Sequence, residues 1–144
     1  LRMMKLKTLG LIYLIVEIGS CGPFSDFEIS ATFNGTLTCS KPFYYRITLW
    51  EEDTRFHHDF VGVQQTQRSQ NTKGHYTVSG QAADTCFESS VELVLTIEHT
   101  CNRAVQCICD TFARTKNFVE TVDFDLNKNH LKYCDMCINS MGRK

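Results

Sequence analysis

A chain of 144 residues with 15 basic and 16 acidic side chains has no charge surplus with which to hold a polyanion, so nucleic-acid binding is not expected. Hydrophobic residues make up 42%, enough for one modest core, and two prolines with eight glycines exclude a low-complexity chain. The eight cysteines leave two readings, disulfides in an oxidising compartment or thiolate zinc sites.

The N-terminal stretch bears on that choice. Arg2, Lys5 and Lys7 precede an apolar run, Leu9 to Val16, which gives way to Gly19, Ser20 and Cys21. This is the layout of a secretory signal peptide, and the run is too short for a comfortable membrane span. The expectation is a signal over residues 1–21 and a secreted, mildly acidic domain over 22–144 with 12 basic and 15 acidic residues. Cleavage after Ser20 would keep Cys21, whereas cleavage after Cys21 would leave an odd number of cysteines.

From Ala31 to Cys39 small or apolar residues (Ala31, Phe33, Gly35, Leu37, Cys39) alternate with Thr32, Asn34, Thr36 and Thr38, a period of two that predicts a half-buried strand. Lys41-Pro42 interrupts it, and alternation resumes with Tyr45, Ile47 and Leu49 against Tyr44, Arg46, Thr48 and Trp50. Glu51 to Asp59 is too polar for a core and reads as a surface loop. Val61 and Val63 alternate weakly, and Gln64 to Lys73 reads as an exposed connection. A turn at Asn71 to Gly74 leads into Tyr76, Val78 and Gly80, predicting a second hairpin, and Gln81 to Ser90 reads as a loop carrying Cys86.

The clearest strand follows: Val91, Leu93, Leu95, Ile97, His99 and Cys101 face one way, with Val94 alone breaking the pattern on the other side. Asn102-Arg103 turns the chain into a partner strand over Val105 to Phe112. Val122, Phe124 and Leu126 mark a seventh strand, and the tail beyond Asn127 is polar and held mainly by Cys134 and Cys137. Short strands and no sustained helical period predict an all-β, antiparallel sandwich of seven to eight strands.

Several of these pieces in order resemble the transthyretin-like family of secreted nematode proteins: Gly35 to Cys39, Lys41-Pro42, Ile47 to Asp53, Gly74 to Gly80, and Ile97 to Asn102. The resemblance covers about residues 30 to 126 and implies a transthyretin-like (prealbumin-like) sandwich of two four-stranded sheets, tied by disulfides. The sequence departs from the family's pattern at Asn71, where an aspartate is usual, at the Lys41-Pro42 corner, which lacks its usual glycine, and in extra cysteines. The topology so implied places Cys101 beside Cys107 or Cys109, and Cys39 beside Cys134 or Cys137, as expected disulfide partners. The family's proposed roles are extracellular binding of lipids, cell surfaces or host proteins, without a cofactor.

The fold's enzyme branch, the hydroxyisourate hydrolases, depends on a histidine near the start and a Tyr-Arg-Gly-Ser-like C-terminus; here the C-terminus is Ser140 to Lys144 and the first mature strand has no histidine. His99, two residues before Cys101 on the inward side, is a structural histidine in preference to the base of a cysteine nucleophile. Cys107-x-Cys109 and Cys134-x-x-Cys137 offer two thiolate pairs to zinc, but secretion favours disulfides. A metal site built from His57, His58, Asp59 and the acids Glu51 to Asp53 yields to a solvated loop. Asn34-Gly35-Thr36 is an N-glycosylation sequon with Asn34 on the polar side of its strand.

These readings converge on a secreted, non-catalytic binding or carrier module for a lipophilic ligand, cell surface or protein partner, with homo-oligomerisation open. Tyr44 and Trp50, outward on one strand, are candidates for a contact patch. A cysteine-rich structural or defence-type protein is the alternative, and a zinc-binding domain the remote one.

Overall fold

Buried side chains recur at every second position of the first strand, where Ile29, Ala31, Phe33 and Leu37 all point inward. The computed structural model describes residues 26–52, 58–85, 90–128 and 137. The expected signal segment, His57, Cys86 and Cys134 lie outside the described residues.

Eight strands follow in order: β1 (Asp26–Thr38), β2 (Tyr44–Glu52), β3 (His58–Arg68), β4 (Lys73–Thr85), β5 (Val91–His99), β6 (Gln106–Arg114), β7 (Phe118–Thr121) and β8 (Phe124–Asp125). They form two sheets, one ordered β4-β1-β7 with β8 also on β1, the other β3-β2-β5-β6. The sheets face each other across one core in which Phe33, Leu37 and Tyr76 meet Tyr45, Ile47, Leu49, Leu95 and Ile97. The all-β sandwich expected from alternation is therefore the architecture found.

Four expectations are corrected. The polar stretch Gln64 to Arg68 is strand rather than connection, because its backbone pairs with β2 out to Tyr44↔Arg68. The turn at residue 71 does not close a hairpin, since β3 pairs with β2 and β4 with β1, in different sheets. Gln70 and Lys73 exchange backbone bonds around Asn71, whose φ of 57° is one that asparagine tolerates. Gln81 to Thr85 extend β4 along the start of β1. Glu51, assigned to a surface loop, is buried at the end of β2, in register with Leu93 of β5.

The edges of the two sheets meet where β3 passes β4. A Cβ on Gly62 would lie 2.3 Å from the Ser79 carbonyl oxygen, and one on Gly80 would lie 2.2 Å from that of Val61, so only glycine allows these backbones to touch. Gln64 then bridges the gap: its Oε1 accepts from the Thr77 backbone N–H at 2.6 Å and its Nε2 donates to the His75 carbonyl. One side-chain amide thus satisfies edge groups of β4 that could otherwise template another strand.

Of the seventh strand predicted on Val122, Phe124 and Leu126 only Phe124–Asp125 is strand (β8), with β7 ending just before it at Thr121, and both run parallel to β1. The ladder breaks at Val122-Asp123, where Val122 N–H donates to the Asn34 carbonyl and the Asp123 carboxylate accepts from Thr36 N–H. The Val122 carbonyl accepts from the Tyr76 hydroxyl at 2.7 Å. That carbonyl would sit 1.9 Å from a Cβ on Gly35, so the glycine is required by the break.

Candidate functional site

Cys39 and Cys101 each continue an inward row, that of β1 through Leu37 and that of β5 through Ile97 and His99. They meet across the interior as a disulfide with Cα atoms 5.8 Å apart, joining the two sheets at one end. This overturns the expected partners for both. In the β5–β6 ladder Glu98 opposes Cys107 and Thr96 opposes Cys109, so those two cysteines point to the outer face, the opposite side from Cys101. Cys107 bonds Cys137 instead, and Cys109 is also in a disulfide. With five thiols so committed, none of Cys39, Cys101, Cys107, Cys109 and Cys137 can serve zinc as a thiolate. Among the described residues no group of three or more His, Cys, Asp or Glu is placed to hold a metal ion.

His99 stands beside the Cys39–Cys101 bridge. Its ring is buried and its Nδ1 accepts a hydrogen bond from the Cys101 backbone N–H at 3.3 Å. Burial lowers its pKa from 6.5 to about 4, which keeps the imidazole neutral. Because Cys101 is a disulfide sulfur, this pair lacks the thiolate that a nucleophile would need.

The outer face of the β3-β2-β5-β6 sheet is unusual in being largely buried. Thr48, Thr96, Val94, Cys107 and Cys109 are all buried there, and Cys137, fastened to Cys107, is fully buried as well. Val94, the one break in the alternation of its strand, packs with Cys109 and Trp50. Its apolar character answers a covered face rather than a core position. The Trp50 indole N–H donates to the Thr96 hydroxyl, which donates to the Thr48 carbonyl.

Trp50 is therefore half-buried and lies apart from Tyr44, the other aromatic expected in a contact patch. Six residues of strand, about 20 Å, separate them. Tyr44 lies at the far end of β2, 52% exposed, with the Arg68 guanidinium 6.0 Å from its ring centre. The aromatic neighbour of Trp50 is Phe60, edge-on with ring centres 5.9 Å apart and 58% exposed. Phe60 was not singled out from the sequence, because the irregular β2–β3 register that brings it opposite Trp50 has no signature in a single strand's alternation.

Across the sandwich, Asn34 lies in the middle of β1, flanked by Thr77 of β4 and Thr121 of β7. Its Oδ1 accepts from the Thr121 hydroxyl at 2.7 Å. Of the described residues, none belongs to a helix long and apolar enough to cross a membrane.

No curated protein and no solved structure matches the chain significantly. A family model does: the match runs over residues 34–116, more than half of the sequence, from the centre of β1 to the residues after β6. With its strand order of β4-β1-β7 against β3-β2-β5-β6 and this match, the chain belongs to the transthyretin-like family.

Proposed function

We propose that this transthyretin-like protein is a secreted extracellular binding or carrier module that performs no covalent chemistry, and that Phe60 with Trp50 forms its contact corner. The single observation that carries the site is the Phe60 ring, 58% exposed at the edge of a sheet and braced on Trp50 rather than collapsed onto the core. An aromatic held rigidly at the surface offers apolar area at little entropic cost, which suits a lipophilic ligand or an apolar patch on a cell-surface partner. The buried neutral His99 and the disulfide at Cys101 support a non-catalytic reading, since the inward pair most like a nucleophile and base is committed to structure.

Two measurements test this reading. Expression with the native leader should deliver to the medium a form whose mass begins near Gly22, and retention of the full chain in the cell would overturn the secretory part. Fluorescently labelled protein should bind intact cells or phospholipid vesicles, and Phe60→Ser should weaken that binding about tenfold, the loss of one buried aromatic anchor. Phe60 is exposed and is a member of neither buried cluster, so the variant should still fold. Equal binding by Phe60→Ser would remove this corner as the contact site.

A further inference from the structure

We infer that Asn34 is an N-glycosylation site in the folded protein, and that its glycan covers the outer face of the β4-β1-β7 sheet. Asn34-Gly35-Thr36 is the one Asn-x-Ser/Thr triplet in the sequence. A glycan in the centre of a central strand could not be accommodated on folding if the asparagine amide nitrogen were committed to its neighbours. Here the commitment is one-sided. Oδ1 accepts from the Thr121 hydroxyl, whereas Nδ2, the atom that carries the sugar, makes no hydrogen bond among the described residues, and Asn34 is only half-buried. The hydrogen bond thus engages the oxygen of the amide and leaves the nitrogen uncommitted among the described residues.

The surroundings leave room for a sugar. Across the strands from Asn34 stand Thr77 and Thr121, both exposed, and along its own strand stand Thr32 and Thr36, all short side chains. Within one row of Asn34, Val119 is opposite Thr32 and is 74% exposed, the highest value among the large apolar side chains described. The first sugars, lying over this face, would shield it and would leave hydroxyl groups of the threonines to bond the glycan. A glycan there also bars the sheet from stacking face to face on another copy, so partners must be met elsewhere on the molecule.

Transfer precedes folding, while residues 34 to 36 are still accessible. The donor is a lipid-linked diphosphate oligosaccharide: the bond from C1 of its first sugar to the diphosphate oxygen breaks, a bond from C1 to Nδ2 forms, the amide loses one proton and the lipid diphosphate leaves. The inference rests on the secretory route proposed above. Its test is made independent of the native leader by placing an added secretory signal before the full chain and expressing it in mammalian cells. Medium protein should lose mass on treatment with peptide-N-glycosidase F, with Asn34 converted to aspartate, a gain of about 1 Da in its peptide. Thr36→Ala should abolish the modification and Thr36→Ser should retain it. Medium protein in which Asn34 remains an unmodified amide would overturn the inference and leave the secretory reading intact.

Discussion

The two sheets differ most on their outer faces. On β4-β1-β7 that face is mostly polar, with Thr77, Ser79 and Thr121 exposed and Val119 an exposed apolar side chain on it. On β3-β2-β5-β6 the same side carries buried Val94, Thr96 and Cys109, and the fully buried Cys137 is bonded to Cys107. Alternation of polar and apolar residues is the mark of a sheet with one wet side, and it is strict in β1 and broken in β5. A single interruption such as Val94 thus marks an outer face that is buried there, where Cys137 is bonded to Cys107.

The bond that holds the two sheets to each other should matter most to stability. Replacing both Cys39 and Cys101 by alanine opens a tie spanning 62 residues and should cost ~4 kcal/mol by the chain-entropy relation, read as a fall in the thermal midpoint. If the Cys39–Cys101 pair proved nearly neutral while loss of Cys107–Cys137 did not, the outer fastening would be the main staple instead.

Gly35→Ala should cost about 3 kcal/mol, because the Val122 carbonyl occupies the space of the new methyl and the β1 contacts to β7 and β8 would have to part. The loss should be local to the β4-β1-β7 sheet, visible as faster amide exchange at Val122 and Leu126, whose N–H groups bond to Asn34 and Thr38. Exchange rising equally in β5 would show that the sheets do not come apart separately.

His99 probes the interior that both sheets share. Its folded pKa, lowered by burial to about 4, lies below its ordinary 6.5, so above pH 6.5 both states are neutral and the group does not discriminate. As the pH falls from 6.5 to 4 the unfolded chain takes up the proton and the folded one resists. Stability should decline across that window by on the order of 3 kcal/mol, and His99→Gln should flatten the decline in denaturant titrations. An unchanged pH dependence in the variant would place the titration elsewhere.

The smallest effect sharpens the opening contrast directly. Val94→Thr should cost about 1 to 2 kcal/mol, the desolvation of a hydroxyl on a covered face, whereas Thr32→Val on the open face should change stability by less than about 0.5 kcal/mol. Equal, small effects would mean that the outer face of β3-β2-β5-β6 is as wet as its counterpart.

Much of this was legible in the residues themselves. The inward rows Ala31, Phe33, Leu37 and Tyr45, Ile47, Leu49 are buried as alternation predicts, because side-chain direction in a strand is set by local geometry alone. The same parity places Cys39 and Cys101 on inward rows, but it does not say that they meet, and the topology implied by the resemblance pairs each elsewhere. Polar Gln64 to Arg68 misled because strand pairing at a sheet edge satisfies the backbone whatever the side chains are. Trp50 was found as an outward aromatic, yet its partner Phe60 depends on a register shift between two strands, which no single segment encodes.

By itself, then, the sequence determined which side of β1, β2 and β5 faces the core and that the chain forms a sandwich, through the period of two and the turn residues. Tertiary structure decided which strands neighbour one another, which cysteines meet, that β3 and β4 close at Gly62 and Gly80, and which outer face is covered. These depend on contacts between residues distant in the chain, such as Gly35 with Val122 and Cys107 with Cys137, where the geometry of approach selects the partner.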